Sequence, residues 1–210
     1  MSEYSDTQTA NTVEELIAQN GAVDFNNGGI DLGDFAIGGE ITLQAWVNLD
    51  GNTQSNMARI FDLANGAADE NILLAFGTNN KLYVSAFDGS NQIAGSSSSV
   101  IPSTGWQHIT MTISNSGFAT VYLNGEEFYT LQTYAPNAMA RTSNYLGDSN
   151  WSADPYFNGL MGEARIYDRM LTQAEIKTSM VSTPDLNDAD LALSSTRPRS
   201  GVRSTGLLQF

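Results

Sequence analysis

ITLQAWVNL (41–49) alternates strictly: Ile41, Leu43, Ala45, Val47 and Leu49 fall on one side, and Thr42, Gln44 and Trp46 on the other. Successive side chains of a strand point to opposite faces, so this stretch predicts a β-strand with one face on a core. GWQHITMTI (105–113) repeats the pattern, with Gln107, Ile109, Met111 and Ile113 set against Trp106, His108, Thr110 and Thr112. NILLAF (71–76) is nearly continuous apolar, as expected of a strand covered on both sides. KLYVSAF (81–87) follows it after GTNN, whose Gly and Asn residues tolerate the positive φ of a tight turn. ATVYLNGEEF (119–128) carries Asn124-Gly125, a strong hairpin signal. EARIYDRM (163–170) is expected to be the last strand, and GSSSS (95–99) reads as a loop.

Many short strands separated by polar turns predict an all-β fold, a two-sheet antiparallel sandwich. One or two short helices are expected near the termini. Thr12 and Glu15, and again Thr172 and Glu175, have the spacing at which a Thr and a Glu cap a helix start reciprocally. The organisation is therefore a polar lead-in with a short helix over 1–20, the sandwich over 21–176, and a Ser/Thr/Pro/Arg-rich tail over 177–210.

Composition narrows the partners. The 210-residue chain carries a formal charge of -14 and no cysteine, so disulfides play no part. Phosphate binding needs clustered Lys and Arg, which excludes nucleic acid as an expected partner. No apolar run approaches the length of about 18 residues that a membrane-spanning helix needs, so membrane insertion is not expected. The N-terminal MSEYSDTQTA has neither the basic nor the apolar region of a secretory signal. The expected location is nonetheless outside the cell or on a particle surface such as a virion, either because the sequence is a mature domain taken alone or because the protein leaves its cell by another route. Residues 1–190 hold all 23 acids and six of the nine bases, while the last twenty residues add Arg197, Arg199 and Arg203 and no acid. Such a tail can dock on an acidic neighbour, including another subunit of a large assembly; the plain alternative is a solvated tail.

VDFNNGGIDLG, ITLQAWVNL, GWQHITMTI, VYLNGEEF, NYLGDSN and FNGLMGEARIYDRMLTQAEI follow one another in this order. The order resembles the laminin-G-like, pentraxin-like branch of the concanavalin A-like jelly rolls, from about Gly21 to Ile176. Phe157, Gly159, Glu163, Arg165, Ile166, Tyr167, Leu171, Glu175 and Ile176 stand where that family has them, and Trp106 and His108 match its Trp-x-His strand. The resemblance implies a recognition module that binds a glycan or a protein surface. In pentraxin-like relatives two loops hold calcium, which implies Asp69, Asn71, Asp148 and Asn150 as calcium ligands here. Calcium takes 6–8 oxygens at flexible geometry, and such loops offer them; the plain alternative is two solvated turns. A second calcium position in the family commonly uses an Asp where this chain has Gly162, and Asp24 alone is a poor metal site. Trp151, Tyr156 and Asn150 are the expected ligand contacts, since an aromatic face stacks on the apolar face of a sugar ring. Trp151 is expected at the surface and Tyr145 packed inward.

No catalytic residue is expected. Glycoside hydrolysis needs two carboxyl groups flanking the bond, and relatives that do it carry a Glu-x-Asp-x-x-Glu string that is missing here. Glu126 and Glu127 are adjacent and so face opposite ways in a strand. A structural subunit of a large assembly, docked through 177–210, is the alternative to a recognition module.

Overall fold

The computed structural model describes residues 22–26 and 28–180 together with the strand Leu191–Ala192. The lead-in helix expected around Thr12 and the tail arginines Arg197, Arg199 and Arg203 lie outside these described residues.

Two antiparallel sheets face each other. In the larger, β4 (Ile41–Asn48) runs between β9 (Gln107–Ile113) and β14 (Asn158–Tyr167). β10 (Phe118–Leu123) and β11 (Glu126–Gln132) extend the sheet beyond β9. β1 (Val23–Asn26) and β15 (Leu191–Ala192) extend it beyond β14, and β1–β15 pair in parallel. The second sheet runs β2 (Ile30–Asp31), β13 (Ser143–Leu146), β5 (Arg59–Ala64), β6 (Ile72–Phe76), β7 (Lys81–Asp88) and β8 (Asn91–Val100). A separate ribbon joins β3 (Phe35–Ile37) to β12 (Met139–Arg141).

The alternating sequences decide which side chains meet. Ile41, Leu43, Ala45 and Val47 of β4 and Ile109, Met111 and Ile113 of β9 face Ile72, Leu74 and Phe76 of β6 and Leu82, Val84 and Ala86 of β7 in one buried cluster. At about 25 cal/mol per Å² of apolar surface removed from water, this cluster is the main favourable term of the fold. Gly147 (φ +76) follows β13, and a Cβ there would lie 2.3 Å from the Phe25 ring, so only glycine fits beneath that core residue.

Two expectations need correcting. GSSSS belongs to β8, the edge of the second sheet, paired antiparallel with β7. Its residues carry no apolar stripe because an edge strand has little core to cover. Ser97, Ser98 and Ser99 stand opposite Leu82 alone, a bulge that blunts this edge against pairing with other chains. The strand expected at 163–170 instead starts at Asn158 and ends at Tyr167, and β15 follows it. Gly159 (φ +146) sits where a Cβ would lie 2.5 Å from the Asn48 carbonyl oxygen, which is why the chain can join the sheet so early.

The helix α1 (Gln173–Ser179) lies across the outer face of the larger sheet. Its capping box is complete: the Thr172 hydroxyl accepts from the Glu175 N–H, and the Glu175 carboxylate accepts from the Thr172 N–H at 2.8 Å. Gln44 Nε2 donates to Ser179 Oγ at 3.0 Å, and Ile176 is fully buried beneath. Thr172→Ala is expected to cost about 1 kcal/mol, read as a lower urea midpoint at unchanged slope.

Candidate functional site

The outer face of the second sheet carries a polar cluster roofed by the loop after β13. Its geometry starts from an irregularity in β5. Arg59 and Asp62 are three apart, so a regular strand would point them to opposite faces. The register between β5 and β6 shifts between Arg59 and Phe61. Ile60 and Phe61 both join the core, and Arg59 returns to the face that holds Asp62. Arg59 Nε then lies 3.4 Å from Asp62 Oδ2.

Asp62 is fully buried and surrounded by donors. Asn71 Nδ2 and Asn150 Nδ2 each donate to its Oδ1 at 2.9 Å, and the Asn150 backbone N–H donates to its Oδ2 at 3.0 Å. Burial pushes the Asp62 carboxyl above the usual carboxylate range, opposed by the bonds from Asn150 and Asn71 and by the Arg59 charge.

The other side of Arg59 meets the loop. Its Nη2 donates to Asp154 Oδ2 at 2.7 Å, and its Nη1 donates to the Met57 carbonyl. Ser149 Oγ also donates to Asp154 Oδ2, at 3.1 Å, and accepts from the Trp151 N–H at 3.0 Å. The guanidinium carbon lies 5.4 Å from the Trp151 ring centroid, a cation–π contact, and Phe87 of β7 lies 6.1 Å from the same ring. Trp151 is thus half-buried rather than fully at the surface, its indole held by a cation and by a second ring while part of it still meets solvent. Tyr156, further along the loop, is also half-buried. On the same face of the sheet, Gln92 Nε2 donates to Tyr83 Oη at 3.0 Å and to Ser85 Oγ at 2.9 Å, and Ser85 is fully buried.

The four residues expected to bind calcium are placed as follows. Asn71 and Asn150 meet, but through Asp62, a residue that sequence reading passed over. Asn71 Oδ1 accepts from the Asp69 N–H at 2.9 Å, which fixes the amide so that its N–H side faces Asp62. Asn150 spends the same amide nitrogen on the Ser143 carbonyl, at 3.0 Å. Asp69 is exposed at its turn, and Asp148, nearly buried, accepts from the Ser149 N–H at 2.7 Å. A cation needs oxygens, and these amides present N–H groups, so the donor set does not fit calcium in this arrangement. Among the described residues no three acidic or histidine side chains are grouped to hold a metal ion. Asp24 lies on β1 and Gly162 on β14.

Tyr145 corrects another expectation. It lies opposite Asp62 across the β13–β5 pair, on the face away from Leu146, because Leu146 takes the core position. Arg59, Asp62 and Asp154 carried no signal in the sequence, since the bulge that unites them is invisible to a period-2 reading. The Arg-x-x-Asp spacing would mark them only to a reader who already placed a bulge there.

The fold and the loop cluster define a lectin-type sandwich. Residues 19–177 match the family described as the concanavalin A-like lectin/glucanases superfamily, and the chain belongs to it. Comparison with curated protein sequences gave no match. Among solved structures, domain 4 of an extracellular GH43 arabinanase from Geobacillus stearothermophilus, in complex with arabinotriose, is 26% identical, with 71% of each chain covered and a TM-score of 0.56. A heptameric SAP-like pentraxin from Limulus polyphemus is 15% identical over 74% of this chain and 79% of the other, with a TM-score of 0.54. The CBM40 domain of a Ruminococcus gnavus sialidase, bound to α2,3-sialyllactose, is 14% identical over 73% of this chain and 96% of the other, again with a TM-score of 0.54. The last two likenesses concern the fold alone. No helix among the described residues is long and apolar enough to cross a membrane.

Proposed function

We propose that the chain is a non-catalytic glycan-recognition module acting outside the cell or on a particle surface, and that Trp151 is its stacking platform. The observation that carries this reading is the half-exposed Trp151 indole, held rigid by Arg59 at 5.4 Å and Phe87 at 6.1 Å. A ring fixed in advance loses little freedom on binding, so the contact area converts to affinity. The hydroxyl of Tyr83 and the carboxylate of Asp154 stand near it to bond sugar hydroxyls. The arabinanase domain in complex with arabinotriose, 26% identical over 71% of this chain, supports an oligosaccharide of this kind as ligand.

The carboxylates of the cluster speak against hydrolysis. Asp62 and Asp154 are both bound to the same guanidinium, and Asp62 is sealed from solvent. A retaining or inverting pair instead flanks an open cleft, with one carboxyl free to give a proton.

A glycan array that includes arabinan fragments, followed by calorimetry on the hits, tests the reading. Trp151→Ala is expected to weaken binding at least about tenfold. Trp151→Phe keeps a ring over Arg59 and is expected to retain part of the affinity. Silence of the folded wild-type chain across neutral and acidic glycans would remove the proposal.

A further inference from the structure

The Arg59 guanidinium sits in a cage of oxygens drawn from separate stretches of chain. Asp62 Oδ2 comes from its own strand, Asp154 Oδ2 from the loop after β13, and the Met57 carbonyl from the approach to β5. Carboxylate and carbonyl oxygens converging from several loops are the donors a hard divalent cation takes. Here they close on an organic cation that is itself 1% exposed. Asn71 and Asn150 complete the surroundings with N–H groups turned to Asp62, an arrangement that complements an anion, and the Asn71 amide oxygen is taken by the Asp69 N–H. The Trp151 ring lies across the guanidinium and closes the remaining side.

We infer that Arg59 is the built-in cation of this loop cluster: its guanidinium fills the oxygen cage that calcium would need, so the wild-type chain organises its ligand loop without metal. A planar guanidinium suits this place, because its fork reaches several oxygens at once while its face stacks on an indole. A calcium ion brought beside it would meet a like charge and amide hydrogens. Arg59 plays this part whatever ligand Trp151 takes, so a failure to bind glycan leaves the point untouched.

The test is calorimetric titration of calcium chloride into the wild-type chain, with thermal melts in millimolar calcium and in EDTA. The wild-type chain is expected to show no saturable heat and the same Tm in both. Arg59→Ala empties the cage and leaves Asp62 and Asp154 facing each other across it. This variant is expected to bind calcium and to gain about 5–10 °C in Tm at a hundredfold excess over its Kd. If Arg59→Ala is unfolded alone, calcium is expected to restore a cooperative melt. Two results would overturn the inference: saturable calcium binding by the wild-type chain that Asp154→Asn abolishes, or an Arg59→Ala chain indifferent to calcium in both Tm and recovery of folding.

Discussion

Asp62→Ala is expected to destabilise the chain by about 3–5 kcal/mol, far more than loss of one hydrogen bond. The reason is what the substitution leaves behind. Asn71 Nδ2 and the Asn150 N–H lose the fully buried carboxylate they donate to, and Asn150 Nδ2 is left with the Ser143 carbonyl alone. Each stranded buried donor costs about 1–3 kcal/mol. Arg59 keeps Asp154, which is 24% exposed, but loses its buried partner. Asp62→Asn preserves shape and one acceptor oxygen but turns an N–H₂ toward existing donors, so it should fall between the two. Removing the other partner, with Arg59→Met, leaves Asp62 with its three N–H bonds and should cost less than Asp62→Ala. The exposed pair Lys177–Glu126, at 2.7 Å, provides the contrast. Water screens it on both sides, and Lys177→Ala should leave the urea midpoint where it was. A loss below about 1 kcal/mol for Asp62→Ala would show that the cluster is held by the surrounding sheet and not by this carboxylate.

Much of the frame that carries this cluster was legible in the sequence, because its strands bury one face and leave the other for different chemistry. In β4 the alternation of Ile41, Leu43, Ala45 and Val47 was enough to assign both faces. The capping box of Thr172 and Glu175 was legible for a similar reason: the whole interaction lies within four residues. What failed to show were features made by long-range pairing. β8 has no apolar period, since an edge strand of Ser, Gly and Gln is held mainly by backbone bonds to β7. The bulge in β5 reverses the parity of every residue before it, and so hid the meeting of Arg59 with Asp62. At the site, Asn71 and Asn150 both donate to Asp62. This charged partner was not legible, because the acid comes from a strand interior where a carboxylate is rare. Trp151 was assigned to the loop by its neighbours, but its half-burial depends on Arg59 and Phe87, which no local pattern connects to it.

The opposite sheet supplies the second large expected effect, a loss of stability on mild acidification. His108 is the only histidine in the chain, lies on β9 and is 3% exposed. Its ring meets Trp46 edge-on at 5.0 Å, and Nδ1 lies 3.3 Å from Thr110 Oγ1. Burial is the main cause that lowers its pKa from 6.5 to about 4, and the nearby Arg165 charge adds to it. The folded chain therefore refuses a proton that the unfolded chain accepts. Stability is fully present above pH 6.5 and drains away as the pH falls toward 4. With about 1.4 kcal/mol per pKa unit, the loss should reach about 2 kcal/mol at pH 5 and about 3 kcal/mol at pH 4. Glu126 and Glu175, whose carboxyls are held below their usual range by Lys177 and by the Thr172 backbone respectively, titrate lower, whereas the buried Asp62 carboxyl is pushed up and works in the opposite sense, so the histidine's share is read as the difference between the wild type and a variant without it. Urea unfolding of the wild-type chain from pH 8 to 5 should show the slope, and His108→Gln, which has no proton to refuse, should flatten it. A His108→Gln chain whose stability follows the wild type from pH 8 to 5 would mean that the ring is charged inside the fold, and that Trp46 and Thr110 do not seal it from water.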